Sequence, residues 1–255
     1  MNLSMAGELA SAYTSGSQRA RVVTEAWGEK NLYCPNCSSP ELTRLRNNTK
    51  ASDFSCPSCS FWYQLKGQQS RIGNSINDGA YAAMLEAIQN DATPNFYFMQ
   101  YDLETWRVKN LLLVPSFAFP PSAIIKRKPL AVTARRAGWV GCNIALNRIP
   151  AEARIGVVME SRAVPEREVR AQYRYVKPLG EIDAKQRGWT LDVLNAVRRL
   201  GRTQFTTAEM YSFTRELEGL HPDNRHVKDK IRQQLQVLRD RGFLRQVERG
   251  TWALT

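Results

Sequence analysis

The C-terminal third of the chain carries its apolar residues at helical spacing in three successive stretches. In "RGWTLDVLNAVRRLG" the apolar residues Trp189, Leu191, Leu194, Val197 and Leu200 lie at helical spacing, and Gly201 supplies a stop. The stretch "FTTAEMYSFTREL" follows, with Thr206 or Thr207 as its expected N-cap. The third stretch ends at Gly242, and its inward positions are Val227, Ile231, Leu235 and Leu238. The pattern predicts three helices.

A short strand pair around the tight "ERG" turn is expected after the third helix. Three helices followed by a two-stranded wing form the winged-helix plan, in which the third helix enters the major groove with its N-terminal residues nearest the base edges. The residues at that position are Arg225, His226, Lys228, Asp229 and Arg232. A winged helix used for protein contacts is the alternative.

Strands and helices alternate in the rest of the chain. The runs "PNFYFMQYD" and "VKNLLLVPSFAF" predict neighbouring core strands, whereas "SGSQRARVVTEAW", which carries Glu25, and "INDGAYAAMLEAIQN" predict helices. The stretch "YVKPLGEIDAKQRG", residues 175–188, is interpreted as a flexible linker. We therefore expect an α/β domain over residues 1–180 and a winged-helix domain over residues 181–255.

Charge points to a polyanionic partner. The 255 residues include 36 Lys and Arg against 24 Asp and Glu, a formal net charge of +12. Nucleic acid is the leading candidate and an anionic membrane surface the lesser one. No apolar run approaches the roughly 18 residues of a membrane span, and the N-terminus lacks the pattern of a secretory signal. We therefore expect a cytoplasmic protein whose cysteines are reduced.

Four of the five cysteines form two matched pairs. "YCPNC" and "FSCPSC" are Cys-x-x-Cys knuckles separated by eighteen residues, the spacing of a four-thiolate zinc site. The predicted ligands are Cys34, Cys37, Cys56 and Cys59. Such a closed site is structural, and disulfides or a redox motif are the alternative. Cys142 has apolar neighbours and is expected to be a small core residue.

An acidic residue and a lysine flank the second knuckle. Asp53 precedes it, and the following "FWYQLKG" predicts a strand on which Gln64 and Lys66 share one face. An aspartate and a [Glu/Gln]-x-Lys triplet on paired strands would suit phosphodiester cleavage, because carboxylates hold Mg²⁺ and a lysine assists the attacking water. A solvated hairpin in which Lys66 contacts a phosphate is the alternative.

A third candidate region, "IIKRKPLAVTARRAGWVGCNIAL", concentrates cations around Pro129, Gly138 and Trp139. Its cationic residues are Lys126, Arg127, Lys128, Arg135 and Arg136. Cations with one aromatic residue in a loop suit phosphate tracking and base contact. A solvated basic face is the alternative for the cations, and a core anchor is the alternative for Trp139.

These stretches resemble, along nearly the whole chain and in the same order, the DpnI-type methyl-directed restriction endonucleases. The matching motifs include "SQRARVVTE", "YCPNC", "INDGAYAAM", "KRKPLAVTARRAGWVGCNI" and "IRQQLQVLRD". The resemblance implies a PD-(D/E)xK nuclease core with a zinc-binding hairpin, followed by a winged helix. It also implies Mg²⁺-dependent double-strand cleavage of GATC when its adenine is methylated, with both domains reading double-stranded DNA. We expect a prokaryotic protein, monomeric in solution, that pairs at most transiently on DNA.

The resemblance assigns Asp53 as a metal-binding aspartate and Lys66 as the family's lysine. Gln64 departs from the family pattern, which has a glutamate there. A neutral amide oxygen should hold Mg²⁺ less firmly than a carboxylate, so that Mn²⁺ is a possible substitute. The site is therefore expected to be active but weaker, and a non-cutting reader or regulator of methylated DNA is the alternative. Trp139 and the start of the third helix are the predicted methyl readers.

Overall fold

The computed structural model describes residues 1–46, 49 and 51–255. The helices in these residues are α1 (Gly16–Asn31), α2 (Tyr81–Gln89), α3 (Glu166–Val176), α4 (Ala184–Arg199), α5 (Thr207–Met210), α6 (Thr214–Leu220) and α7 (Val227–Asp240). The strands are β1 (Thr43–Arg44), β2 (Phe54–Ser55), β3 (Trp62–Gln68), β4 (Ser75–Ala80), β5 (Asn95–Asp102), β6 (Arg107–Val114), β7 (Ile124–Lys126), β8 (Gly141–Ala145), β9 (Ile155–Met159), β10 (Arg162–Ala163), β11 (Gln204–Thr206), β12 (Leu244–Glu248) and β13 (Thr251–Leu254).

The chain divides into two compact units, each built from several segments. Unit 1 comprises Met1–Asn74, Ala92–Phe117 and Glu152–Lys177. Unit 2 comprises Ser75–Asp91, Ala118–Ala151 and Pro178–Thr255. None of the described helices combines the length and the apolar character needed to cross a bilayer.

Unit 1 is a mixed sheet whose strand order is β1-β2-β3-β5-β6-β9-β10. β3 and β5 run parallel, while the other neighbouring pairs are antiparallel. The predicted helix "SGSQRARVVTEAW" and the two predicted core strands are confirmed as α1, β5 and β6. α1 approaches β2 closely because Gly28 has no side chain: a Cβ there would lie 2.7 Å from Cζ of Phe54. This approach brings α1 beside the hairpin that bears Asp53.

Unit 2 contains a small sheet of order β4-β8-β7 with α2, and a winged helix. The winged helix confirms the three-helix prediction in outline, since α4 and α7 are continuous and the wing is β12-β13. Thr206 is the N-cap of α5, and its side chain and that of Glu209 cap each other's backbone. The second predicted helix is divided into α5 and α6 by the 3₁₀ turn Tyr211–Phe213, and β11 adds a strand beside β13.

The helix predicted in "INDGAYAAMLEAIQN" is confirmed as α2, but the first five residues of the stretch belong to strand β4. They pair with β8, Ile76 opposite Ile144, and such a distant partner leaves no local signal. The interpretation of residues 175–188 as a flexible linker was wrong. Residues Lys177–Glu181 form a 3₁₀ helix between α3 and α4, and both Leu179 and Ile182 are buried. Burial of these apolar side chains outweighs the local propensity of proline and glycine to form a loop.

Candidate active site and zinc cluster

The four paired cysteines converge in unit 1. The Sγ atoms all lie within 4.8 Å of one another, in Cys34, Cys37, Cys56 and Cys59. Two of the distances, Cys34 to Cys59 and Cys37 to Cys56, are 3.5 Å. Four ligands at about 2.3 Å from a tetrahedral zinc would lie about 3.8 Å apart, so the sulfur spacing fits that ion. None of the five cysteines forms a disulfide, and Cys142 is buried as expected. The cluster could hold a zinc ion.

Contacts around the sulfurs fix both knuckles. The hydroxyl of Tyr63 lies 3.1 Å from Sγ of Cys34, and the backbone N–H of Cys59 donates to Sγ of Cys56. The guanidinium of Arg170, on α3, donates to the backbone carbonyls of Cys34 and Ser39. Such outer contacts orient the ligands of a metal site. The first knuckle is therefore held by α3 and by Tyr63 of β3, and the second by a backbone contact within its own turn.

Asp53 lies beside β3, at the start of β2. Its backbone N–H donates to the carbonyl of Tyr63 at 2.9 Å, and its carboxylate accepts from the backbone N–H of Leu65 at 2.8 Å. The pairs Phe54–Tyr63 and Ser55–Trp62 set the register of the hairpin, which places Asp53 next to Gln64. The carboxylate is thus fixed by the strand that bears the predicted glutamine and lysine.

A cavity of about 200 Å³ opens at this position. Its lining among the described residues consists of Arg21, Glu25, Leu45, Arg46, Thr49, Ser52 and Asp53. Two carboxylates, one from α1 and one from the hairpin, therefore share a small polar cavity with two arginines. Asn47, Asn48 and Lys50 lie outside the described residues.

Burial disfavours the ionised form of both carboxylates. It raises the pKa of Asp53, although the Leu65 N–H and the charge of Lys66 act in the opposite direction. Burial also raises the pKa of Glu25; Arg44 opposes this and the charge of Asp53 adds to it. Arg44 donates to Glu25 at 2.5 Å. Arg44 and Arg21 compensate part of the Glu25 charge, and the remaining negative charge of the two crowded carboxylates would favour a cation.

Glu25 is the residue that sequence reasoning did not assign. Helical spacing could have identified it. Glu25 lies one turn before Gly28 and two turns before Leu32, so all three are on the side of α1 that faces the sheet. A carboxylate on the buried side of a helix needs a partner or a ligand.

Lys66 and Gln64 occupy one face of β3. Gln64 pairs with Phe96 of β5, and the ammonium of Lys66 lies 5.8 Å from the centre of the Phe96 ring. Neither side chain belongs to the described lining of the 200 Å³ cavity. The structure therefore brings Asp53 and Lys66 onto adjacent strands, close enough for the lysine charge to lower the pKa of Asp53.

The predicted basic region of unit 2 is a long hairpin loop between β7 and β8. Arg127, Lys128 and Arg135 are exposed in it, and Lys126 lies over the ring of Tyr81. The guanidinium of Arg136 stacks on Trp139 at 4.8 Å. Trp139 is half-buried. Trp139 thus lies at the base of a cationic loop and does not belong to the buried core.

The predicted DNA-contacting residues of the winged helix divide into two groups. Lys228 and Arg232 both contact Tyr211, the lysine over the ring and the arginine through the hydroxyl at 2.9 Å. Arg225 and His226 line a cavity of about 1020 Å³ in unit 2. Trp189 also lines it, stacked on His221 with the ring centres 3.7 Å apart. The start of α7 thus borders an open, partly cationic groove.

Two family models match the chain. The DpnI model, described as the Dam-replacing family, matches residues 1–181, and the model of the Dam-replacing HTH domain matches residues 185–253. The chain belongs to the Dam-replacing (DpnI) family. Membership confirms the resemblance to DpnI-type methyl-directed endonucleases and implies a methylation-dependent restriction endonuclease with a helix-turn-helix DNA-binding domain. DNA is therefore the partner implied by the Dam-replacing family match.

Proposed function

We propose that the chain is a type II restriction endonuclease that makes Mg²⁺-dependent double-strand cuts at adenine-methylated, GATC-like sites. Its nuclease would be a PD-(D/E)xK core within residues 1–180, and its second DNA-binding domain the winged helix of residues 181–255. The observation that supports this most directly is the pair of carboxylates, Asp53 and Glu25, on one cavity beside the strand that carries Lys66.

The residues fit a hard divalent cation. Such an ion prefers oxygen ligands, and the cavity offers carboxylates whose pKa values are raised by burial. Asp53 and Glu25 would hold Mg²⁺, and the amide oxygen of Gln64 would add a neutral ligand. When bound, the ion would polarise the phosphodiester and lower the pKa of a water. Glu25 offers the second negative charge that Gln64 does not.

The protein's own groups would position the attacking water, the metal ligands and the DNA. Lys66 would hold the attacking water and a phosphate oxygen, and the Leu65 N–H keeps the Asp53 carboxylate oriented. The zinc cluster would fix the register of β2 against β3 and take no part in the chemistry. Arg127, Arg135 and Arg136 of the β7–β8 loop, with Lys126, would contact phosphates. Trp139 and the start of α7 would read the methylated adenine.

Methyl recognition should be distributed over both domains. Burying a methyl group in the major groove is worth about 0.8 kcal/mol, so one contact discriminates only a few-fold. Reading both strands with two domains multiplies that factor. The β7–β8 loop, within residues 1–180, and the α7 groove, within residues 181–255, are cationic surfaces of unit 2 that could each contribute to reading the site. We propose that the protein is a monomer in solution and pairs at most transiently on DNA.

One experiment tests the proposal. Adenine-methylated and unmethylated plasmids are incubated with the protein in Mg²⁺ or in Mn²⁺; linear product is measured, and binding to each DNA is measured in parallel. Cleavage of the methylated plasmid alone supports the proposal. The neutral amide at position 64 favours a second function, a reader of methylated DNA that does not cut. Tight, methylation-dependent binding without cleavage in either metal would establish the reader and refute the nuclease.

A further inference from the structure

Two large aromatic side chains are exposed next to the zinc cluster. Trp62 is 53% exposed and Phe61 is 38% exposed, whereas Tyr63, the next residue, is fully buried. An exposed tryptophan has a large apolar surface in water, and two adjacent aromatic side chains beside a candidate active site suggest a binding surface.

The backbone that presents these rings is rigid. The carbonyl of Trp62 accepts from the Asn95 amide at 3.1 Å, and Asn95 is itself buried. The carbonyl of Phe61 accepts from the backbone N–H of Cys56 at 2.9 Å, within the second zinc knuckle. Tryptophan has only two χ angles, so on a fixed backbone it loses little conformational entropy when a ligand covers it. Trp62 is therefore preorganised for contact.

Trp62 shares its strand face with the residues proposed for catalysis. Side chains alternate along β3, so Trp62, Gln64 and Lys66 all project from one face. At a rise of about 3.3 Å per residue, Trp62 lies about 7 Å from Gln64 and about 13 Å from Lys66 along the strand. One DNA strand rises about 3.4 Å per nucleotide, so this separation corresponds to roughly two to four nucleotides.

We propose that Trp62 contacts the deoxyribose groups of the DNA strand that flanks the scissile phosphate. The inference rests on the proposed function, because it takes Lys66 to mark the position of that phosphate. The net charge of +12 favours DNA over other partners. An aromatic side chain can pack on the deoxyribose of any nucleotide, because every nucleotide carries the same sugar. Trp62 would thus add affinity and register without reading the sequence.

The test compares Trp62→Ala and Trp62→Phe with the wild type. Dissociation constants are measured by fluorescence anisotropy, with Ca²⁺ in place of Mg²⁺ to prevent cutting, on methylated and unmethylated duplexes over a range of salt concentrations. We expect Trp62→Ala to bind both duplexes about tenfold more weakly, and Trp62→Phe to retain most of the affinity. The dependence of log Kd on log salt should keep its slope, because no phosphate contact is lost.

Leu103→Ala is the matched control. Leu103 is an exposed apolar residue, 45% exposed, just beyond the end of β5. Since β5 runs parallel to β3, Leu103 lies about 30 Å along the sheet from Trp62. Its removal should leave DNA affinity unchanged. If Leu103→Ala also bound DNA tenfold more weakly, the loss of affinity in Trp62→Ala would not be specific to Trp62, and the assignment would be overturned.

Three results would refute the proposal for Trp62. If Trp62→Ala binds DNA with the affinity of the wild type, Trp62 does not contact DNA. If this variant also has a lower melting temperature, the role of Trp62 is in packing. A loss confined to methylated DNA makes Trp62 a methyl reader. A change in oligomeric state by light scattering without a change in DNA affinity makes the aromatic pair a protein interface. If the wild type cuts no plasmid while Trp62→Ala binds DNA more weakly, the nuclease assignment fails and the DNA contact stands.

Discussion

The two ends of the β2–β3 hairpin lie beside different kinds of ionisable group, thiols at the turn and carboxylates at the opposite end. At the turn, four thiols converge within 4.8 Å of one another. A few residues away, Asp53 and Glu25 share a cavity in which burial raises the pKa of each. Tyr63 joins the two ends, since its hydroxyl lies against Sγ of Cys34 and its carbonyl accepts from the N–H of Asp53. The four thiols, which we call the sulfur end, could be saturated by one metal ion. Asp53 and Glu25, which we call the carboxylate end, line an open cavity that a ligand could enter.

This difference separates stability from chemistry. A four-sulfur zinc site leaves no open position, so it contributes to folding alone. Buried carboxylates are costly in the absence of a cation, and such groups are typical of sites that bind metal or substrate. If this interpretation is right, substitutions at the two ends should change different properties of the protein.

The largest effect is expected at the sulfur end. Cys56→Ser, or removal of zinc with a strong chelator, should unfold the hairpin, because zinc binding is worth on the order of 10 kcal/mol in zinc-finger peptides. Metal content, circular dichroism and cleavage should all fall together. Cys142→Ala, at a buried cysteine outside the cluster, is the control and should keep its zinc. A zinc-free protein with a native spectrum and full cleavage would contradict a structural role.

The next largest effect is expected at the carboxylate end. Asp53→Ala and Lys66→Ala should each lower the cleavage rate about a thousandfold, because each removes a charge at the reacting phosphate. Zinc content and DNA affinity should stay within a few-fold of wild type. Cleavage time courses on methylated plasmid, with binding measured in Ca²⁺, check this. Undiminished cutting by either variant would place the active site elsewhere.

The two ends also differ in how far they could be predicted. The zinc site and the winged helix rest on local patterns, a Cys-x-x-Cys spacing and helical periods, and these specify nearby structure. Glu25 escaped assignment because its partner Asp53 lies 28 positions away, and only packing of α1 on β2 brings them together. Strand β4 was missed for the same reason, since its partner β8 lies far along the chain. Long-range pairing has no short sequence signal.

A smaller change should come from restoring the family's acidic residue. Gln64→Glu adds an anionic ligand beside Asp53, so the Mg²⁺ concentration needed for half-maximal cleavage should fall about tenfold. The preference for Mn²⁺ over Mg²⁺ should narrow. Gln68→Glu, four residues along the same strand, is the control for added charge alone. Equal effects of the two substitutions would show that Gln64 does not contact the metal.

The smallest expected effect is a change in stability that reports the ionisation of Asp53. Because burial raises the pKa of Asp53, its ionised form costs stability above that pKa, and the cost disappears as the pH falls toward the ordinary value of 3.8. Asp53→Asn should therefore raise the unfolding free energy at pH 8 by about 1 kcal/mol without added Mg²⁺, and by less at pH 5.

Asp102 is the control of opposite sign. Hydrogen bonds from Lys109 and Thr105 hold the pKa of Asp102 well below its usual range, so its ionised form stabilises the fold at neutral pH. That contribution is lost only as the pH falls through the lowered pKa, and Asp102→Asn should destabilise the protein equally at pH 5 and pH 8. Thermal unfolding of both variants at the two pH values compares the signs. A loss of stability in Asp53→Asn at pH 8 would mean that its carboxylate is paired like that of Asp102, and the case for a cation between Asp53 and Glu25 would fall.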